Sequence, residues 1–184
     1  MNQSGDSIRV VHPLFQEEGG GANPTSPLQL HIGKISQRLA MQLNYKWHSR
    51  LPSIANWQNC DAYGAEFGGI FYAVAMWSIP SARMLNGKNW FELRRMAIAN
   101  DAPKNTASRM LSVMRRLIKK ERPEIVRLIS YQDSEVHAGT IYKASGWTIG
   151  HSSKGGEWTR PSRERTSVQS ASPKIRWEIN TNGL

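Results

Sequence analysis

The stretch that most constrains the fold is residues 92–147, in which two β-rich segments flank one long amphipathic helix. The helix is predicted because apolar residues recur at spacings of three and four from Ala107 to Ile118. The β-rich run IVRLISY begins shortly after Pro123. A strand–helix–strand unit joined by a right-handed crossover places its two strands parallel. The chain is therefore predicted to be an α/β protein.

Segments on either side of this unit supply the rest of the scaffold. Ser36 is a good N-cap for a helix that should end before Leu51-Pro52. Gly68-Gly69 predicts a hairpin between two β-rich runs, the second of which is apolar enough to be a central strand. The predicted strands are residues 28–35, 62–67, 70–79, 90–99, 125–131 and 173–179, and a short helix over 137–145 ends at Gly146.

Composition narrows the class of protein. Residues 1–27 are polar and rich in Gly and Pro, so we expect a loosely docked N-terminal arm, followed by one domain over 28–184 with a basic C-terminal extension. Lys and Arg number 24 against 14 Asp and Glu, a net charge of +10, which favours a polyanionic partner over the alternative of a merely basic protein. No apolar run reaches the roughly 18 residues of a membrane span. With one cysteine, Cys60, and no signal peptide, we expect a cytoplasmic protein without an internal disulfide.

The loop NDAPKNTAS precedes the long helix and has the composition of an anion site. Free N–H groups at a helix N-terminus and the positive end of its dipole attract anions, and Lys104 would add a full charge. Asn105 or Thr106 is expected to cap the helix. The alternative is a capped connection without a ligand.

Polar side chains also gather where the later strand ends. Ser130 and Asp133 lie at its carboxyl end, where parallel sheets place their sites. Asp133 could be a base, a metal ligand or the N-cap of the next helix. Tyr142 could pack in the core or donate a proton in a cleft. His48, with Arg50 near it, ends the first helix as a C-terminal cap or faces a site.

The order of elements over about 28–158 resembles the GNAT acyltransferase superfamily. The segment YKASGW matches that family's Tyr-x-x-x-Gly-aromatic ending. The resemblance implies a single-domain α/β fold with a mixed, partly splayed sheet flanked by helices. It also implies that the loop at the helix start holds the pyrophosphate of an acyl-CoA, although NDAPKNTAS lacks the glycines usual there.

The motifs ELRRMAI, APKNTAS, ISYQD and HAGTIYKASGW, in this order, are similar to the phage Mom-type DNA modification proteins. The resemblance implies an enzyme that converts adenine in DNA to an N6-carbamoylmethyl form and so blocks host restriction. It implies catalytic roles for Arg95, His48, Ser130, Asp133 and Tyr142, in a cleft between the splayed strands near Arg95 and Ser130, and donor binding by Lys104, Asn105, Thr106 and Ser108. Two alternatives remain for the identity of the donor, which are acetyl-CoA and another acyl or glycyl-type molecule. Iron is suggested by the resemblance only. The side chains that could supply ligands are Asp133, His48 and His137, but a metal is not predicted.

Double-stranded DNA is the expected partner, and the target adenine must leave the base stack. Trp57, Trp77 or Trp90 could stack on the flipped base, and the basic helix face with Lys154, Arg160, Arg163 and Arg165 could grip phosphates. Two other functions stay open. They are an acetyl-CoA-dependent N-acetyltransferase acting on a small amine, a protein or a hypermodified base, and a DNA-binding protein without catalysis. The oligomeric state is also open, with a homodimer as one alternative.

Overall fold

The computed structural model describes residues 23–48, 50–51, 60–85, 87–155 and 172–182. In this part of the chain, seven strands form one sheet in the order β1-β2-β3-β4-β5-β7-β6. The strands are β1 (His31–Lys34), β2 (Asp61–Phe67), β3 (Ile70–Ser78), β4 (Trp90–Ile98), β5 (Arg127–Asp133), β6 (Thr148–Ser153) and β7 (Lys174–Asn180). The helices are α1 (Gln37–Trp47), α2 (Thr106–Glu121) and α3 (Thr140–Ala144), and two 3₁₀ turns cover Pro27–Gln29 and Arg83–Leu85. The predicted mixed α/β sheet flanked by helices is confirmed.

The two faces of the sheet are covered by different helices. The face that we name the α2 face carries the larger core, in which Met110 and Met114 of α2 meet Trp77 and Leu128 of the sheet. The opposite face, named the α1 face, carries a smaller core around Ala40 of α1. Ser36 accepts a hydrogen bond from the backbone N–H of Leu39 and caps α1, as predicted.

The β2–β3 hairpin turns at Gly68 and Gly69, as predicted. Their φ angles of +58° and +82° lie in the left-handed region, which glycine adopts without steric cost. The strand β3 that follows is buried over most of its length, which agrees with its nearly continuous apolar sequence.

Strands β4 and β5 pair only briefly before they diverge. Their parallel register runs from Trp90 opposite Arg127 to Leu93 opposite Ser130, although β4 continues to Ile98 and β5 to Asp133. This confirms the predicted splay. Beyond the last pair, the two strands leave a cleft between them.

A β-bulge in β4 changes which face each side chain reaches. Leu93 is opposite Trp77 but Arg95, not Arg94, is opposite Met76, so Arg94 is the extra residue. Leu93 belongs to the core of the α2 face, whereas Met76 belongs to the core of the α1 face. Arg95, paired with Met76, therefore lies on the α1 face, because side chains alternate along a strand.

Several predicted boundaries near the site were wrong. Strand β1 begins at His31, because Ser26 and Gln29 form a capping box around a 3₁₀ turn. The short helix begins at Thr140 with Gly139 as its N-cap, so Asp133 does not cap it. Asp133 instead heads a turn, in which its backbone carbonyl accepts from the His137 N–H at 3.1 Å.

The end of α3 follows the prediction, whereas the next strand was missed. Gly146 has φ +77°, and the backbone N–H of Trp147 bonds the carbonyl of Tyr142, a Schellman arrangement. Strand β6 is exposed along almost its entire length and lacks an apolar face. It pairs with β7, which brings it into the sheet without hydrophobic patterning.

Candidate active site

The cleft between β4 and β5 has a buried hydroxyl pair on the α2 face. Ser130 Oγ and the Tyr142 phenol oxygen lie 2.8 Å apart, and both side chains are buried. The Tyr142 ring stacks on Trp177 at 5.3 Å and meets Trp147 edge-on at 5.7 Å. Burial raises the pKa of the Tyr142 phenol, and the hydrogen bond to Ser130 opposes that shift. The phenol therefore keeps its proton at neutral pH.

The close packing of the backbone at Gly139 positions α3, which carries Tyr142 of the hydroxyl pair. Gly139 has φ +72°, and a Cβ there would come within 2.5 Å of the Gln132 side-chain oxygen and 2.7 Å of the Trp177 ring. Gln132 is itself buried and accepts a hydrogen bond from the Trp177 indole N–H at 2.5 Å. The sequence analysis singled out neither Gln132 nor Gly139, because a buried amide that supports a neighbouring ring carries no motif.

On the α1 face, Asp133 lies at the end of β5 among cations. Arg50 Nη1 donates to Asp133 Oδ2 at 2.9 Å, and Lys174 Nζ lies 3.9 Å from the same oxygen. Lys174 comes from β7, and no pattern in the sequence pointed to it. The arrangement holds the Asp133 carboxylate in a fixed orientation at the mouth of the cleft.

His48 ends α1 on the same face. Its backbone N–H donates to the Asn44 carbonyl, so it is a C-cap, and its ring Nδ1 accepts the Leu51 backbone N–H at 3.2 Å. Burial lowers the pKa of His48, and the nearby cations Arg95, His137 and Arg50 lower it further. His48 is therefore neutral at pH 7, with its proton on Nε2, and offers a hydrogen-bond donor to the site.

Arg95 is the half-buried cation of the α1 face. Its Nη1 donates to the Arg94 carbonyl at 2.7 Å, and its buried Nε has no hydrogen-bond partner among the described residues. Burial lowers the pKa of Arg95, as does the neighbouring Arg94. A partly desolvated guanidinium with an unused donor suits a ligand oxygen that it could bond.

The loop before α2 forms a separate recess. Asn105 occupies the N-cap position at φ 67° but makes no side-chain capping bond, so the predicted side-chain cap is wrong in the region that the structure describes. The hydroxyls of Thr106 and Ser108 donate to the carbonyls of Pro103 and Asn105, at 2.7 Å and 3.0 Å. The Thr106 N–H donates to the Pro103 carbonyl at 3.3 Å. The next amides, of Ala107 and Ser108, have no side-chain acceptor from a cap, and N–H groups at this position fit an anion such as a pyrophosphate.

A cavity of about 240 Å³ adjoins these amides. Its lining includes Asn105, Thr106 and Ser108 from the α2 end and Thr140 and Ile141 from α3. Lys104 is exposed in the loop beside it. The four predicted donor-binding residues therefore lie together, on the α2 side of the molecule.

The structure divides the predicted catalytic residues into two groups. Ser130 and Tyr142 lie on the α2 face, and Arg95, His48 and Asp133 lie on the α1 face. The sequence analysis placed Arg95 beside Ser130, but the β4 bulge sends the Arg95 side chain to the other face. Strands β4 and β5, which diverge beyond Leu93 and Ser130, carry residues of both groups.

The predicted stacking tryptophans differ in what they can do. Trp77 is fully buried and stacks on Phe91 at 6.0 Å, so it is a core residue and cannot receive a base. Trp90 is half-buried on the α1 face, with Arg127 over its ring. Lys154 is exposed just beyond β6. Trp57, Arg160, Arg163 and Arg165 lie outside the described residues.

Within the described ranges, no three His, Cys, Asp or Glu side chains group as metal ligands. The Asp133 carboxylate bonds Arg50 at 2.9 Å. These side chains therefore do not by themselves fit an iron ion. No described helix has the length and apolar character to cross a bilayer.

Comparison with solved structures identifies the fold. An IAA acetyltransferase from Bacillus cereus is 15% identical, with TM-score 0.57 over 82% of this chain and 99% of that one. A Bacillus subtilis acetyltransferase in complex with CoA is 12% identical, with TM-score 0.56 over 82% and 98%. A spermidine/spermine N-acetyltransferase from Vibrio cholerae is 9% identical, with TM-score 0.59 over 84% and 94%. The predicted GNAT fold is confirmed.

Sequence comparison is more specific about the family. Among curated proteins, no sequence matches this chain. The model of the Mom protein family matches residues 29–180. This range contains the splayed strands, the α2 loop and every predicted catalytic residue. The chain therefore belongs to the Mom protein family.

Proposed function

We propose that this protein modifies the N6 amine of adenine in double-stranded DNA, by carbamoylmethylation, and so protects the DNA from restriction. The observation that carries the proposal is the Mom family match over residues 29–180. The geometry supports it, because the cleft is open to an anion-binding recess on one face and a cationic face on the other. A basic chain with net charge +10 suits a polyanionic substrate.

The two faces suit two substrates. The recess at the α2 N-terminus would hold the anionic part of a small donor, through backbone N–H groups, Asn105 and Lys104. Tyr142, whose phenol keeps its proton, lies on the donor's side and would protonate the leaving group. The donor would supply the carbamoylmethyl group and its leaving group, whereas binding and proton transfer would fall to these residues.

The acceptor would enter from the α1 face. Adenine N6 points into the major groove and is paired in the duplex, so the base must be flipped to reach the cleft. Asp133, held by Arg50, would accept a hydrogen bond from the exocyclic amine and orient its lone pair toward the donor. Arg95 and His48 Nε2–H would bond acceptor atoms of the flipped base or of its phosphate. The amine nitrogen would form one C–N bond to the methylene carbon of the donor while the bond from that carbon to the leaving group breaks. The amine proton would pass to Asp133, and the leaving group would take the proton of the Tyr142 phenol.

The direct test is nucleoside mass spectrometry of DNA from cells that express the protein. We expect a modified adenosine carrying the mass of a carbamoylmethyl group. An unmodified adenine pool, with folded protein present, would contradict DNA modification.

The site is tested with matched variants. Asp133→Asn and Tyr142→Phe should each abolish the modified nucleoside. The controls are Glu124→Gln and Tyr45→Phe, which make the same chemical changes on exposed side chains outside the predicted set of catalytic residues. Product formation by both site variants at the control level would remove Asp133 and Tyr142 from the chemistry.

Acetyl transfer from acetyl-CoA is the second candidate, and the uncapped α2 N-terminus beside its cavity favours it. Isothermal calorimetry with acetyl-CoA, followed by mass spectrometry of DNA and amine substrates, separates the two. Saturable binding with an acetylated product and no carbamoylmethyl adenine would select this candidate.

A further inference from the structure

We propose that duplex DNA lies on the α1 face over β5 and β7, where the paired guanidinium groups of Arg127 and Arg176 hold its phosphates. This surface differs from the basic side of α2, which the sequence suggested. The inference rests on the proposed function, and it names where the DNA docks.

A buried carboxylate fixes the two arginines. Glu178 of β7 is 8% exposed. Arg127 Nη1 lies 2.7 Å from its Oε2, and Arg176 Nη2 lies 2.7 Å from its Oε1. Two guanidinium groups share one carboxylate, so the cluster keeps an excess of positive charge.

Strand β6 is shaped to admit that carboxylate. A Cβ at Gly150 would come within 2.1 Å of the Glu178 carboxyl group. The ladder between β6 and β7 is irregular at this point, between Ile149 and His151. A residue with a side chain at 150 would displace Glu178 and release both arginines, so the pair depends on this glycine.

Trp90 completes the arrangement from β4. The guanidinium carbons of Arg127 and Arg176 lie 4.7 Å and 5.5 Å from the centre of its ring. Stacking on an indole and bonding to a carboxylate hold a guanidinium in one orientation, which reduces the entropy lost when it binds an anion. Arg127 Nε also bonds Asn180 at 3.2 Å, so each arginine commits two of its three nitrogens. The Arg127 side chain is 35% exposed and the Arg176 side chain 17%, and their remaining N–H groups would bond phosphate oxygens.

The pair lies on the same face as the acceptor side of the cleft. Along β7, Arg176 is opposite Tyr131 and Lys174 is opposite Asp133. Arg127 and Asp133 are six residues apart on β5, which corresponds to roughly 20 Å along a strand. Because both guanidinium groups meet at Glu178, whose partner Ile129 is four residues from Asp133, phosphates held by the pair would lie roughly 13 Å, or about four base pairs, from a base flipped toward Asp133.

The exposed cations of α2 do not have this relation to the cleft. Arg116 and Lys120 lie on the outer side of α2, with the core of the α2 face between them and the sheet. DNA bound there would approach the donor recess, and the sheet would separate it from Asp133.

The experiment compares two variants that each remove two positive charges. Arg127→Gln/Arg176→Gln changes the proposed surface, and Arg116→Gln/Lys120→Gln changes the outer side of α2. Binding of a fluorescent unmodified duplex is measured by anisotropy over a series of salt concentrations. Each lost phosphate contact lowers the slope of log K against log salt by about 0.9, so the first variant should lose roughly 1.8 and the second should match wild type. An equal loss in both variants, or a loss only in the second, would overturn the proposal.

A third variant distinguishes the loss of phosphate contacts from misfolding of the protein. Arg127→Gln/Arg176→Gln leaves Glu178 buried without its partners, whereas adding Glu178→Gln removes that charge. The triple variant should melt near wild type and still lose the slope, and wild-type DNA binding by this folded triple variant would overturn the proposal. DNA bound through this surface without an adenine product would contradict only the proposed function. An adenine product with unchanged binding by the arginine variant would contradict only the docking surface.

Discussion

Removing one oxygen from Tyr142 separates its structural role from its chemical role. The Tyr142→Phe variant keeps a ring that stacks on Trp177 at 5.3 Å, so packing is preserved. It removes the hydroxyl that lies 2.8 Å from Ser130 Oγ, which is the side-chain hydrogen bond of that hydroxyl within the described residues.

The loss of stability expected for Tyr142→Phe follows from this geometry. Leaving a buried hydroxyl unpaired costs about 1–3 kcal/mol, of which the lost bond itself accounts for about 1 kcal/mol. For a chain of this size, 1 kcal/mol corresponds to roughly 2–4 °C in Tm, so we expect Tm to fall by roughly 2–12 °C. Ser130→Ala instead leaves the Tyr142 phenol without its partner and should lower the free energy of unfolding by a similar amount. The double variant should be destabilised by less than the sum, with a coupling of about 1 kcal/mol or more, because neither partner is left unpaired.

Activity should not follow stability. A positioned general acid contributes about 10²- to 10⁴-fold, so Tyr142→Phe should lower the rate of adenine modification by at least roughly 100-fold. Ser130→Ala keeps the phenol and should lower it far less, at the same loss of Tm. Thermal melts and single-time-point nucleoside mass spectrometry below the lowest Tm measure both quantities.

Two results would refute the reasoning. Additive losses of Tm in the double variant would mean that the two hydroxyls are not coupled. Equal rates for the two single variants would mean that the phenol has no role beyond its bond to Ser130.

Further predictions concern other parts of the fold. His48 should titrate below its ordinary pKa of 6.5. Its contribution to stability is therefore complete above pH 6.5 and is lost as the pH falls through the lower pKa of the folded state. In Arg95→Met, NMR titration should show that the pKa of His48 rises, and the Tm should not fall because the variant removes a partly buried cation. Gly139→Ala should lower the free energy of unfolding by about 2–4 kcal/mol, because the new Cβ would be strained and would overlap its neighbours. Gly68→Ala should cost only about 1 kcal/mol, because Gly68 has φ +58° but open space around it. Denaturant melts measure both. Burial raises the pKa of Cys60 to about 11, so its reaction with a thiol reagent at pH 8 should be slow until the protein unfolds.

Much of the fold could be predicted because local signals agreed with the tertiary structure. Ser36, the Gly68-Gly69 turn and the apolar spacing of α2 each specify one conformation with little dependence on distant residues. The elements that failed lack such signals. Strand β6 has no buried apolar face and exists because β7 supplies its hydrogen bonds, and α3 begins late because a turn closed by Asp133 uses the preceding residues.

The site was harder to predict than the fold. Motifs suggested the candidate residues, and three of the four residues predicted to bind a donor, Asn105, Thr106 and Ser108, line one cavity. Partners contributed from far along the chain, such as Lys174 to Asp133, have no local pattern. The expected capping bond from Asn105 is absent from the described structure because that residue adopts a left-handed conformation, φ 67°, which sequence composition does not reveal.

The β4 bulge explains both the error about Arg95 and the division of the site. Strict alternation from Leu93, whose parallel partner is Ser130, would put Arg95 on the face of the Ser130–Tyr142 pair. There its charge would lie against the apolar core of α2 and α3, at a large desolvation cost. The extra residue Arg94 moves Arg95 to the face that holds His48 and Asp133. A one-residue insertion thus leaves a neutral hydroxyl pair on the α2 face and the cations on the α1 face, a separation that would suit the proposed small donor and DNA acceptor.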